Sequence, residues 1–169
     1  MELRAWMTHS ANVDRVWELA GKIGFCMFAS LDGEWIRSRP MSAYACPEEN
    51  CIYFLTDVDS AKDDEVAARP QVNLAFADTS EQSYVSMTGR AEISDDRAKI
   101  RELFSTPAKA WWEDAEDPAI RVLKVTPHDA QYWDSPGTVR SYVKMAAAAV
   151  SDTRPDLGDN EKVNLEERV

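Results

Sequence analysis

Residues 25–42 read FCMFASLDGEWIRSRPMS. Phe25 to Leu31 is apolar and suits a pleated strand, Asp32-Gly33 is a strong hairpin signal, and Trp35-Ile36-Arg37 resumes the extended pattern. Pro40 carries no backbone donor, so it belongs at a strand end or a bulge, and such places border binding sites. Working outward, Val13, Val16, Trp17 and Ala20 fall at i, i+3, i+4 and i+7 of a helix predicted from about Asn12 to Lys22, with Gly21 and Gly24 marking its end. On the other side, Tyr44 and Ala45 turn through Pro47-Glu48-Glu49-Asn50 and return as Cys51 to Thr56. The first third of the chain is thus a helix followed by a β-meander.

The pattern continues with strands and short helices. Ser60 is read as the N-cap of a short helix that stops before Arg69-Pro70, because the residue before a proline avoids helical geometry. Val72, Leu74 and Phe76 alternate along a strand from Gln71 to Asp78, and Tyr84 to Ile93 is the next strand, interrupted at Gly89. Ser94 is expected to cap a helix over Asp95 to Phe104, and Thr106-Pro107 to start another that carries Trp111 and Trp112. Ile120 to Val125 and Ala130 to Trp133 are read as two strands, and Thr138 to Val150 as a helix. Seven or so strands with hairpin turns cannot form a doubly wound sheet. An antiparallel barrel with peripheral helices closes them best, because closure removes exposed edges. The expected organisation is one domain over residues 1–150 and an acidic tail over 151–169, with six acids and three bases.

Composition excludes several functions. The 169 residues include 30 acidic and 19 basic side chains, for a net charge of −11. A field of that sign repels nucleic acid and anionic membrane, so neither is expected as a partner. No apolar run reaches membrane-spanning length, and MELRAWMTHS lacks a signal peptide's hydrophobic stretch, so a cytoplasmic location is expected. Three cysteines, an odd number, argue against a disulfide framework. There is no G-x-G-x-x-G, no Walker loop and no G-x-S-x-G elbow. His9 and His128 lie too far apart in sequence to suggest zinc, and Cys46 and Cys51, bracketing a turn, lack the second pair a metal site needs.

Against this acidic background a few cations and hydroxyls stand together. Arg37 and Arg39 share one strand face, and taken alone they read as a solvated edge. Ser60 and Lys62 fall in the first turn of the predicted helix, where free N–H groups and the dipole favour an anion. Strand arginines opposite such a helix start give charge-assisted contacts to a phosphate. Asp57, Asp59, Asp63 and Asp64 surround Lys62 and equally suit a solvated acidic turn. The residues therefore outline a phosphate pocket that does not depend on glycines.

Arg39-Pro40-Met41, then Phe54-x-Thr56-x3-Ser60-x-Lys62, Pro70, Phe76, Tyr84-Val85-x3-Gly89 and Tyr132-Trp133 resemble the pyridoxamine 5′-phosphate oxidase-like split barrels that bind flavin mononucleotide (FMN). Within them the chain is most similar to the general stress protein 26 branch, down to Gly158-x-Asn160-Glu161-Lys162-Val163. The resemblance covers roughly residues 10–165. It implies a six-stranded antiparallel split barrel that forms a homodimer with two FMN molecules in its groove. It places Arg39 and Lys62 on the FMN phosphate, helped by Thr56 and Ser60, with Arg37 beside them. The backbone around Met41 and Ser42 would run along the flavin ring, with Pro40 a further cofactor-site residue, and Trp133 of the second subunit would close the site. Tyr84 stands where the oxidase has a glutamine.

Departures from that pattern bear on activity. The oxidase grips its substrate with an R-x-H near its C-terminus and a lysine on the strand after its FMN arginine. This chain offers Arg140-Ser141-Tyr142 without the histidine, and Tyr44 in place of the lysine. The expectation is a flavin-dependent redox protein that lacks pyridoxamine phosphate oxidase activity. The alternative is a non-enzymatic flavin-binding or flavin-sensing stress protein. A further possibility is another cofactor, deazaflavin or haem, although no axial haem ligand stands out. No residue suggests itself as a general acid or base.

Overall fold

The computed structural model describes residues 2–58, 61–105, 108–134 and 159–166. Helix α1 (Glu2–Ile23) leads into the hairpin β1 (Phe25–Asp32) and β2 (Trp35–Ser42), joined by a two-residue turn at Gly33 and Glu34. Next come β3 (Tyr44–Cys46), a 3₁₀ turn (Pro47–Glu49), β4 (Cys51–Asp57), α2 (Ala61–Ala68), β5 (Gln71–Asp78) and β6 (Ser83–Ser94). Helix α3 (Arg97–Leu103), a 3₁₀ turn (Ala108–Ala110), β7 (Ile120–Asp134) and β8 (Asp159–Asn164) complete the described chain. The fold is a mainly β, antiparallel split barrel with peripheral helices. Its eight strands run β2-β1-β5-β6-β7-β4-β3, and β8 also pairs with β7. Two more strands than the expected six arise because β3 is very short and because part of the C-terminal segment joins the sheet.

Strand alternation builds the core. Cys26 and Phe28 on β1, Val72, Leu74 and Phe76 on β5, and Val85 and Met87 on β6 all point inward and are buried. Phe28 meets Phe54 of β4 edge to face, with centroids 5.7 Å apart, a contact worth about 1 kcal/mol beyond its buried area. The apolar stripe of α1 (Val13, Val16, Trp17, Leu19 and Ala20) packs on this core. Gly24, at φ 65°, turns the chain out of α1 and donates its N–H to Ala20 O at 2.9 Å. A smaller cluster forms where Ile100 and Leu103 of α3 cover Cys51, Tyr53, Ile120 and Val122.

Several local expectations are corrected. Ser94 does not cap α3, because it still pairs with Val122 in the β6–β7 ladder. Asp96 caps instead, accepting the Lys99 N–H at 3.0 Å. The expected helix carrying Trp111 and Trp112 is only the short turn at Ala108–Ala110, while Thr106 and Pro107 lie outside the described residues. The two strands expected between Ile120 and Trp133 are one strand, β7. Pro127 is tolerated there because the β6–β7 register shifts beside it, between Thr88 and Gly89. Gly89 is needed at that shift, since a Cβ there would lie 2.6 Å from the Thr126 carbonyl oxygen. Residues 159–164, expected within the tail, pair with β7, and Val163 and Leu165 are buried in the main core. The helix expected over Thr138 to Val150 lies outside the described residues.

Candidate functional site

Strand β2 divides its side chains between two environments. Register pairs Arg39 with Phe28 and Arg37 with Ser30, so both arginines lie on the face that β1 turns inward. Pro40 and Ser42 pair with Met27 and Phe25, on the opposite face. Phe25, Pro40 and Ser42 border a half-open cleft of about 250 Å³, lined also by Met41, Tyr44 and Leu55 on the strands, with Thr56 and Asp57 beside them. Ala108, Trp111 and Trp112 form its other wall. Trp112 donates its indole N–H to Asp57 Oδ1 at 2.7 Å, and Tyr44 shares a hydrogen bond with Ser105 at 3.2 Å. The lining thus combines aromatic and aliphatic side chains with a few oxygen atoms, which suits a heteroaromatic ring.

On the other face of β2, one residue before Pro40, Arg39 joins a largely buried polar network. Arg39 donates through Nη2 to both carboxylate oxygens of Glu65, at 3.0 and 2.7 Å, and through Nη1 to Ser30 Oγ at 3.1 Å. Ser30 in turn donates to Glu65 Oε2, closing a triangle. Ser30 and Glu65 are buried, and the Arg39 side chain is 22% exposed. Burial of charge is tolerable only with such pairing. Arg37, by contrast, is exposed and lies 3.3 Å from the Asp32 carboxylate.

The sequence-derived site residues therefore separate into groups. Pro40, Met41, Ser42 and Thr56 meet in the cleft. Arg39 is turned toward α2, where it meets Glu65, and Arg37 stands further along β2. Lys62 belongs to α2 but its side chain, like all of Ser60, lies outside the described residues. Tyr84 and Trp133 are direct cross-strand partners, 36% and 37% exposed, away from the cleft lining. They continue an outward apolar face: Tyr84 pairs with Ala77, and two residues along β5 Ala75 pairs with Met27, itself next to Phe25 on the same face of β1.

Sequence reading missed Glu65 and Ser30. The available signal was Ser30 itself, a hydroxyl at an inward position of the run Cys26, Phe28, Ser30, which needs a buried polar partner. Nucleophilic chemistry by the inner thiols is disfavoured. Burial pushes Cys26 up to about 12, and burial followed by Cys51 and Glu48 pushes Cys46 up to about 11. Cys46 and Cys51 are ladder partners across β3 and β4.

An antiparallel split barrel with a ring-sized cleft along its second strand defines the class. The chain belongs to the pyridoxamine 5′-phosphate oxidase like family, whose profile matches residues 11–156. A solved structure assigned to general stress protein 26 from Jannaschia sp. CCS1 superposes with a TM-score of 0.75 at 27% identity, covering 91% of this chain and 98% of that one. The general stress FMN/FAD binding protein of Xanthomonas citri gives 0.62 at 26% identity over 71% and 86% of the two chains. Protein bli-3 of Neurospora crassa is 28% identical over 78% of this chain and 68% of its own length. No described helix is long and apolar enough to cross a membrane.

Proposed function

We propose that this chain is a flavin-binding split barrel of the general stress type that takes FMN, works as a homodimer in the cytoplasm, and serves as a redox protein without pyridoxamine phosphate oxidase activity. The cleft that joins Pro40, Met41, Ser42 and Thr56 carries this reading, because it offers aromatic and aliphatic walls one residue along β2 from the mostly buried Arg39. The backbone of β2 would orient the ring, and Trp111 and Trp112 would limit water. Arg39 and Lys62 of α2, helped by Thr56 and by Ser60, which precedes α2 in the sequence, would hold the phosphate, with Arg37 adding longer-range attraction. The bound flavin would supply the electron chemistry, as flavins do. The outward face with Phe25, Met27, Tyr84 and Trp133 would meet a second copy, so that Tyr84 and Trp133 complete the partner's cleft. The net charge of −11 speaks against nucleic acid and anionic membrane as partners. Tyr44 in the cleft wall supplies no cation for a phosphorylated pyridine, which supports the absence of oxidase activity.

Titration of the apoprotein by flavin fluorescence tests the reading. FMN should bind at least tenfold more tightly than riboflavin, and equal affinities would overturn the phosphate assignment. Light scattering should give twice the chain mass. Aerobic incubation of the holoprotein with pyridoxamine 5′-phosphate should yield no pyridoxal phosphate at metabolic rates. Reduction by NADH or NADPH separates an enzyme from a flavin-binding or sensing protein.

A further inference from the structure

Resting on the reading that the flavin phosphate meets Arg39, we infer that Glu65 is an internal anion that competes with this phosphate and sets the preference for phosphorylated over unphosphorylated flavin. Both Glu65 oxygens accept from Arg39 Nη2, and Ser30 ties the carboxylate to Nη1. One edge of the guanidinium is therefore taken before any ligand arrives. An arginine has five N–H donors in a fixed fork, so a phosphate must use the remaining ones or displace the carboxylate. Either route places a carboxylate and a phosphate around one cation in a site shielded from water, where like charges repel strongly.

The helix geometry adds to the conflict. Glu65 follows residue 62 by three positions in α2, hence on the same helix face and about one turn along. A phosphate held from that face would therefore share it with the Glu65 carboxylate. The carboxylate also has a role in the flavin-free protein. It neutralises Arg39, whose side chain is mostly buried and would otherwise be an unpaired charge. Glu65 thus stabilises the empty site and lowers its affinity for phosphate, which makes the flavin exchangeable.

Glu65→Gln removes the charge and keeps the size, the acceptor for Arg39 and a polar group for Ser30. FMN and riboflavin are titrated into wild-type and variant apoprotein, with circular dichroism to confirm the fold. The expected result is about tenfold tighter FMN with unchanged riboflavin, so that the ratio of the two affinities rises tenfold. A merely structural role would move both ligands together. An unchanged ratio overturns the inference, and a lower ratio shows instead that the carboxylate holds Arg39 in place for phosphate. Equal affinities for the two flavins in both proteins would overturn the underlying phosphate reading as well. If Glu65→Gln does not fold, Glu65→Met, uncharged and of similar volume, is expected to shift the ratio in the same direction and is judged by the same outcomes.

Discussion

Arg37 and Arg39 stand two residues apart on one face of β2, yet they live in different media. Arg39 is mostly buried and shares a closed network with Ser30 and Glu65, while Arg37 is 60% exposed and pairs with Asp32, itself more than half exposed. Residue type and strand parity are the same for both. What differs is what lies opposite: α2, which brings Glu65 to Arg39, or the solvent beside the β1–β2 turn. A cation that the fold withdraws from water comes with a counter-ion. A ligand for that cation therefore meets an occupied partner, whereas a ligand for Arg37 would meet a hydrated one. The two arginines are expected to differ in stability, in binding and in salt dependence.

The largest difference is in stability. Arg39→Ala leaves the Glu65 carboxylate buried with Ser30 as its remaining partner in the network, and breaking a buried pair from one side typically costs about 3–5 kcal/mol. Urea unfolding of the flavin-free protein measures this directly. Combining Arg39→Ala with Glu65→Gln should recover a good part of the loss, because the stranded charge is gone, and the double-mutant cycle then reports the coupling of the pair. A loss below about 1 kcal/mol for the single variant would mean that the network carries no more energy than a surface pair, and the contrast with Arg37 would collapse.

The legibility of these features in the sequence follows from the range of the forces involved. Strand and helix patterns are local, so the β1–β2 hairpin, the alternation of Val72, Leu74 and Phe76, and the α1 stripe were readable from spacing alone. The meeting of Pro40, Met41, Ser42 and Thr56 was legible through family resemblance rather than through periodicity, because it joins two strands that are not ladder partners. Glu65 was hidden for a different reason. In AKDDEVAA it is one acid among three, and only the third dimension shows that it faces the mostly buried Arg39. The break read between Val125 and Ala130 does not exist, because the bulge absorbs the missing donor of Pro127 without ending the strand. Val163 and Leu165 were lost in a polar surrounding, since two apolar residues carry too little pattern to announce a strand.

A second test probes how firmly the inner side of the hairpin is sealed. Cys26, the ladder partner of Met41, is 2% exposed, and burial raises its thiol from an ordinary 9.0 to about 12. The folded state keeps this proton while the unfolded chain loses it above pH 9, so the unfolded state binds fewer protons and stability falls as pH rises through that window toward 12. At pH 10, one unit above the unfolded value, wild type should give up about 1.4 kcal/mol that a Cys26→Ala variant does not, each variant being referred to its own stability at pH 8. Matched urea curves at the two pH values give the comparison. Parallel alkaline losses would show that water reaches the inner face of the hairpin, and the contrast between its two sides would weaken.

The smallest effect belongs to Arg37. Its ion pair with Asp32 spans 3.3 Å between two side chains that are each more than half exposed, so truncation to alanine should change stability by less than about 0.5 kcal/mol. Its contribution to flavin binding is of the same screened kind. A hydrated guanidinium near a phosphate adds attraction that ions shield, and at 1 M salt the screening length is about 3 Å. Arg37→Ala should therefore weaken FMN by only about two- to fivefold at low salt, and the difference from wild type should vanish at high salt. Arg39 is mostly buried and already paired, so salt screens it less and the effect of replacing it should persist. Measuring FMN affinity for both variants at low and high salt makes the comparison without relying on any single value. If the Arg37→Ala loss survives high salt, Arg37 closes directly onto the phosphate when flavin binds, and the two arginines act as one clamp rather than as a buried anchor and an exposed attractor.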